Sequence, residues 1–79
     1  MNLYLLKQDK NTGWDTYDSA VVCAECDDDA RMIHPSGKEW DGTSEGWESW
    51  CDARDVTILL IGKSNHVPEG VVCSSFNAG

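Results

Sequence analysis

Residues 56–63 (VTILLIGK) restrict the fold more than any other part of the chain. Val56, Ile58 and Leu60 alternate with Leu59 and Ile61, so an extended backbone here is apolar on both faces. Such a strand is expected at the centre of a sheet, covered on both sides. Three other segments can pair around it. Residues 2–8 (NLYLLKQ) read as a first strand, with Leu3 and Leu5 on one side and Tyr4 and Leu6 on the other. Residues 19–25 (SAVVCAE) read as a second, short and β-branched at Val21 and Val22. Between them, residues 9–18 carry turn chemistry, with Asp, Asn and Gly clustered around Trp14 and Tyr17, which predicts a hairpin. Residues 64–70 form a turn, and residues 71–76 (VVCSSF) a last strand, antiparallel to the one before it.

Residues 27–34 (DDDARMIH) read as a short helix with Cys26 or Asp27 as N-cap and acids suited to the positive end of its dipole. Ala30, Ile33 and His34 share a face at i, i+3, i+4, and that face should lie on the sheet. Pro35, Ser36 and Gly37 stop it. Two turns are marginal alone, so the helix depends on the sheet. Residues 36–55 show no clear period and hold three of the four tryptophans. A structureless stretch of that length is unusual in a compact domain and often functional. Trp47 and Trp50 are spaced to share one face of a helical turn, and part of the segment is expected to fold over the open face of the sheet. The expectation is one α+β domain over residues 1–79. It holds a four-stranded, mainly antiparallel sheet with one short helix on one face, in the order β-β-α-β-β.

Charge narrows the function. The net charge is −8, and residues 9–55 hold 13 acids against four bases. Direct nucleic-acid binding needs a basic face and is disfavoured. A basic protein partner is favoured, because complementary charge steers association. The first ten residues have an apolar run far too short for a secretory signal core, and no stretch could span a bilayer, so a cytosolic location is expected. His34 and His66 have no nucleophile at a suggestive spacing, and there is no phosphate-binding or calcium-binding loop, so no catalysis is expected. Cys23, Cys26, Cys51 and Cys73 leave a four-cysteine zinc domain as an alternative, although one C-x-x-C across a strand end lacks the usual second pair. A redox role is disfavoured because Asp27, Asp28 and Asp29 oppose a thiolate at Cys26.

Residues 17–35 (YDSAVVCAECDDDARMIHP) and 70–79 (GVVCSSFNAG) resemble a group of short, uncharacterised bacteriophage proteins. In size and charge the chain also resembles anti-CRISPR proteins, phage inhibitors of host defence. The resemblance implies a bacterial host cytoplasm and a host partner with a basic nucleic-acid-binding surface. A CRISPR effector is such a partner, its target-DNA site blocked by carboxylates standing where phosphates would. On that reading the contact residues are Asp27, Asp28 and Asp29 with Glu39, Asp41, Glu45 and Glu48. Trp40, Trp47 or Trp50 would supply an apolar anchor. The chain would act as a monomer or a homodimer, without cofactor, membrane or direct nucleic acid. An inhibitor of another host nucleic-acid enzyme and a virion assembly accessory remain alternatives.

Overall fold

The computed structural model describes residues 1–43, 49–65 and 67–77. Four strands, β1 (Asn2–Lys7), β2 (Thr16–Ala24), β3 (Thr57–Lys63) and β4 (Gly70–Asn77), form one sheet, with helix α1 (Asp27–Arg31) after β2 and a 3₁₀ turn (Ala53–Asp55) before β3. The expected α+β architecture and element order are found. The sheet order is β3-β1-β2-β4, and every neighbouring pair is antiparallel.

That order places β3 at an edge, not at the centre as its sequence led us to expect. Its Leu59, Leu60 and Ile61 are about half exposed, at 57%, 56% and 48%. β4 runs opposite to β3 but sits at the far edge of the sheet, so the connection between them has to pass the ends of β1 and β2. Three strand spacings amount to about 14 Å, which six extended residues span easily. The crossing is pinned at two points. Ser64 N–H donates to the Met1 carbonyl at 2.9 Å, and Cys23 Sγ donates to the Val67 carbonyl at 3.4 Å.

The register sorts side chains into rows, because directly paired residues share a face. One face carries Leu60-Tyr4-Val22-Val71 and Ile58-Leu6-Ala20-Ser74. The core lies against it: Tyr4, Leu6, Ala20, Val22 and Ala24 meet Ala30 of α1 and Trp50, Cys51 and Val56. The segment containing Trp50 therefore joins the helix on the covered face. Its described residues in the core, Trp50 and Cys51, do not lie over the opposite face, contrary to expectation; a large ring gains most where a hydrophobic layer already exists.

β2 begins earlier than the sequence suggests, because Thr16 and Tyr17 pair with Asn77 and Phe76 of β4. The hairpin turn is organised by the Gln8 side chain. Its Nε2 donates to the carbonyls of Asn11 (2.6 Å) and Tyr17 (2.9 Å), and its Oε1 accepts from the Lys10 and Asn11 amides. That full set of partners lets the amide be buried. Asp15 sits at φ 60, the left-handed region that Asp tolerates in turns.

α1 is shorter than its sequence pattern. Ala30 N–H bonds the Cys26 carbonyl as in an α-helix, but Met32 and Ile33 reach back three residues, to Asp29 and Ala30. This tightening ends the helix ahead of Pro35. Ala30 and His34 are nonetheless buried, and Ile33 packs on the core, so the expected face does lie on the sheet. No helix among the described residues is long and apolar enough to cross a membrane.

Candidate functional site

The twelve acids among the described residues are all at least partly accessible, and ten are exposed. One lies in a strand, Asp18, at a bulge near the start of β2. The rest sit on α1 and the connections. The three regular rows of the face opposite the core hold no acid, and Asp18 reaches their margin only through its Oδ1, which accepts from Ser19 Oγ at 2.9 Å. The rows are Gly62-Leu3-Cys23-Gly70, Leu59-Leu5-Val21-Cys73 and Thr57-Lys7-Ser19-Ser75. The molecule is thus sided, with acid around the helix layer and sheet ends and an uncharged or weakly basic face behind.

Asp27, Asp28 and Asp29 are exposed in the first turn of α1, where the helix dipole favours negative charge. The nearest base in sequence, Arg31, does not answer them. Its Nη1 donates to the carbonyls of Ala53 (2.9 Å) and Val56 (3.1 Å), tying α1 to the start of β3. Among the described residues the one ion pair joins Arg54 to Asp52 at 3.4 Å. The aspartate cluster therefore presents unopposed charge.

Glu39 is exposed and, with Trp40, lines an open groove of about 1000 Å³ that also takes in His34, Lys38 and Glu69. Asp41 is exposed, and its Oδ1 accepts from Thr43 N–H (3.0 Å) and Thr43 Oγ1 (2.9 Å). Those bonds, the backbone one foremost, hold its carboxyl below the usual range, so it stays ionised. Glu45, Trp47 and Glu48 lie outside the described residues.

The tryptophans divide differently from the sequence expectation. Trp50 is 1% exposed and belongs to the core, so it is not available as a surface anchor. Its indole Nε1 has no acceptor among the described residues. Trp40 is half-buried, donates from Nε1 to the Thr43 carbonyl at 2.7 Å and packs edge-on against His34, ring centroids 5.5 Å apart. Among the described tryptophans the freely exposed ring is Trp14, at 73%, on the β1–β2 connection between Asp9 and Asp18. The signal for it was present: an indole flanked by Asn11, Gly13 and Asp15 stands in a turn, where a ring has no core to enter. Trp14 lies past the start of β2 and α1 past its end. Nine strand residues separate them by about 30 Å, so they do not form one site.

His34 closes the inner wall of the groove. It is 1% exposed, between Tyr17 (6.0 Å) and Trp40, and Tyr17 in turn meets Phe76 at 4.8 Å. Ser36 N–H donates to Nδ1 at 3.0 Å, which assigns the neutral tautomer with its proton on Nε2, toward Ser49 Oγ at 3.5 Å. Burial, and then Lys38, push the imidazole below its ordinary value.

The cysteines do not converge. Cys23 is buried on the face opposite the core, and Cys51 is buried within the core, so the sheet separates them. Burial and the nearby Asp55 and Asp52 push the Cys51 thiol up to about 11, so it is protonated at neutral pH. The four-cysteine zinc alternative is set aside on this geometry, and no cluster of metal-ligating side chains occurs among the described residues. No protein-family model, curated protein or solved structure matches the chain.

Proposed function

We propose that this chain acts by binding, as a phage-encoded inhibitor that places acid in the basic nucleic-acid channel of a host CRISPR effector and so blocks target DNA. The observation that supports this reading best is the aspartate triplet of α1. Asp27, Asp28 and Asp29 are exposed and adjacent, and Arg31 is drawn off to backbone carbonyls. Guide-loaded effectors hold their duplex in a positively charged channel. Duplex DNA presents one charge per about 1.7 Å of axis, so closely spaced carboxylates on a sheet-anchored helix can substitute for part of that row. Glu39 and Asp41 extend the acid along the next connection.

The test is competition. A purified effector loaded with guide RNA is titrated with target duplex in the presence and absence of the chain. The expected result is loss of DNA binding that recovers as salt rises. Reversal of all three aspartates (D27K, D28K, D29K) should abolish the effect while far-UV circular dichroism stays that of the parent. Retention of DNA binding at saturating chain, together with no nucleic-acid-binding protein captured from host lysate at low salt, rejects the reading. Capture of a polymerase or nuclease instead keeps the mechanism and changes the partner.

A further inference from the structure

We propose that His34 is an acid-released latch: protonation of its ring detaches residues 34–41 from the body of the domain while the strands and α1 stay folded. Among the described residues, the hydrogen bonds of residues 35–41 are all made within residues 34–43. Ser36 N–H donates to His34 Nδ1 (3.0 Å), Gly37 N–H to the His34 carbonyl (2.9 Å), Lys38 N–H to Ser36 Oγ (3.3 Å) and Trp40 Nε1 to the Thr43 carbonyl (2.7 Å). Two rings press the segment onto the body. His34 packs on Tyr17 of β2 and on Trp40, with Nε2 3.5 Å from Ser49 Oγ, and Trp40 packs against the core. The segment is fixed at both ends, by Ile33 on the core and by the Gly42 carbonyl, which accepts from Ala53 N–H at 2.8 Å. Release is therefore confined between two anchors, a local opening rather than an unfolding.

The neutral ring fits this place and the charged one does not. Nδ1 acts as an acceptor, and a proton added there points at the Ser36 N–H donor. Ser36 Oγ, 2.8 Å from Nδ1, can turn to accept that proton, but the backbone N–H cannot turn away. The ring is almost wholly buried, so an imidazolium also loses its water. Among the described residues, the titratable and charged groups around it are Tyr17 on β2, Lys38 and Glu39 on its own connection, and Glu69 across the groove on the β3–β4 connection. Lys38 opposes a charge on the buried ring. Glu39 and Glu69 line the open side of the groove and attract the imidazolium once it has swung out. The released form thus binds the proton better than the latched one, and acid shifts the population toward it. The latch is a property of the chain alone and is independent of the role proposed for α1.

The experiment is nuclear magnetic resonance of the full chain, stepped from about pH 7.5 to about pH 5, with the ring signals of His34 resolved from those of His66. The expected result is one step in which the His34 ring loses its contacts to the Tyr17 and Trp40 rings and the amides of residues 36–38 lose protection. Its midpoint is that of the His34 ring and lies below about 6.5, and the amides of β1 and β2 keep their protection through it. His34→Gln stays neutral throughout and should show no step. Lys38→Glu, at an exposed position, removes the opposing charge and should raise the midpoint by about half a unit. If H34Q does not fold, K38E carries the test. Ring contacts that persist to pH about 5 overturn the proposal. So does their loss only together with β1 and β2, a step retained in a folded H34Q chain, or a K38E midpoint that is unchanged or lower.

Discussion

At the scale of residues, position in the fold separates side chains of the same type. Trp50 is held by packing, since its buried N–H has no acceptor among the described residues, a feature that by itself costs about 1–3 kcal/mol. Truncation to alanine removes a large ring from the centre of a small core, so W50A should lose about 3–5 kcal/mol in urea denaturation. Trp14, mostly in solvent, should change stability by no more than about 0.5 kcal/mol as W14A. Equal losses at the two positions would contradict the burial described. His34 gives a pH-dependent counterpart. Its folded value lies below its unfolded one, so the neutral ring stabilises the fold fully above pH about 6.5. That contribution is lost as pH falls through the unfolded value toward the folded one. Melting temperature should therefore drop between pH 7.5 and 5.5, and H34N, although less stable at the outset, should show a smaller drop. A parent chain with a flat profile over that window would refute the assignment of a buried neutral imidazole.

Among the elements, α1 is the one whose survival needs explanation, because five residues do not make a stable helix in water. Ala30 packs it to the sheet, and Arg31 bolts it to the start of β3 through two carbonyls. Charge-assisted bonds of this kind contribute more than neutral ones, so R31A should cost about 2 kcal/mol or more. The same change should raise amide exchange at Ala30 before it affects β1 and β2. The sequence announced this helix through its cap, its acids and its proline stop. It did not announce Arg31's partners, which lie more than twenty residues away in a segment with no periodicity. The same division holds for the strands. Alternation identified β1 and β2 and the hairpin between them, and turn residues bounded β4. Placing β3 failed for a physical reason: an apolar run on both faces marks burial on both sides in a large parallel sheet, but in a four-stranded sheet with one covered face it also fits an edge with something left to bind. The acids of the candidate site were legible as exposed charge. The exposure of Trp14 was legible from the turn residues around it, whereas the burial of Trp50 was not, because the segment before it has no periodicity that would assign it to the core.

For the molecule as a whole, the decisive property is an unbalanced charge on a small, sided fold. Net charge of −8 with one ion pair among the described residues means that the folded state holds its acids closer together than the unfolded chain does. That self-repulsion is long-ranged and lies on exposed groups, so mobile ions screen it, with a Debye length of about 10 Å at 0.1 M salt and about 3 Å at 1 M. Stability should accordingly rise with sodium chloride, and the melting temperature should increase steadily between about 0.01 and about 0.5 M. The attraction between α1 and a basic channel has the opposite sign of charge product and should weaken over the same range. Measured side by side, the two responses separate a domain whose acid serves solubility from one whose acid is directed at a partner. Both kinds gain stability from salt, but the second also loses its partner as the salt rises. A melting temperature that falls with salt would mean that attractive pairs, not repulsion, dominate the native charges, and the unopposed state of Asp27, Asp28 and Asp29 would then be wrong.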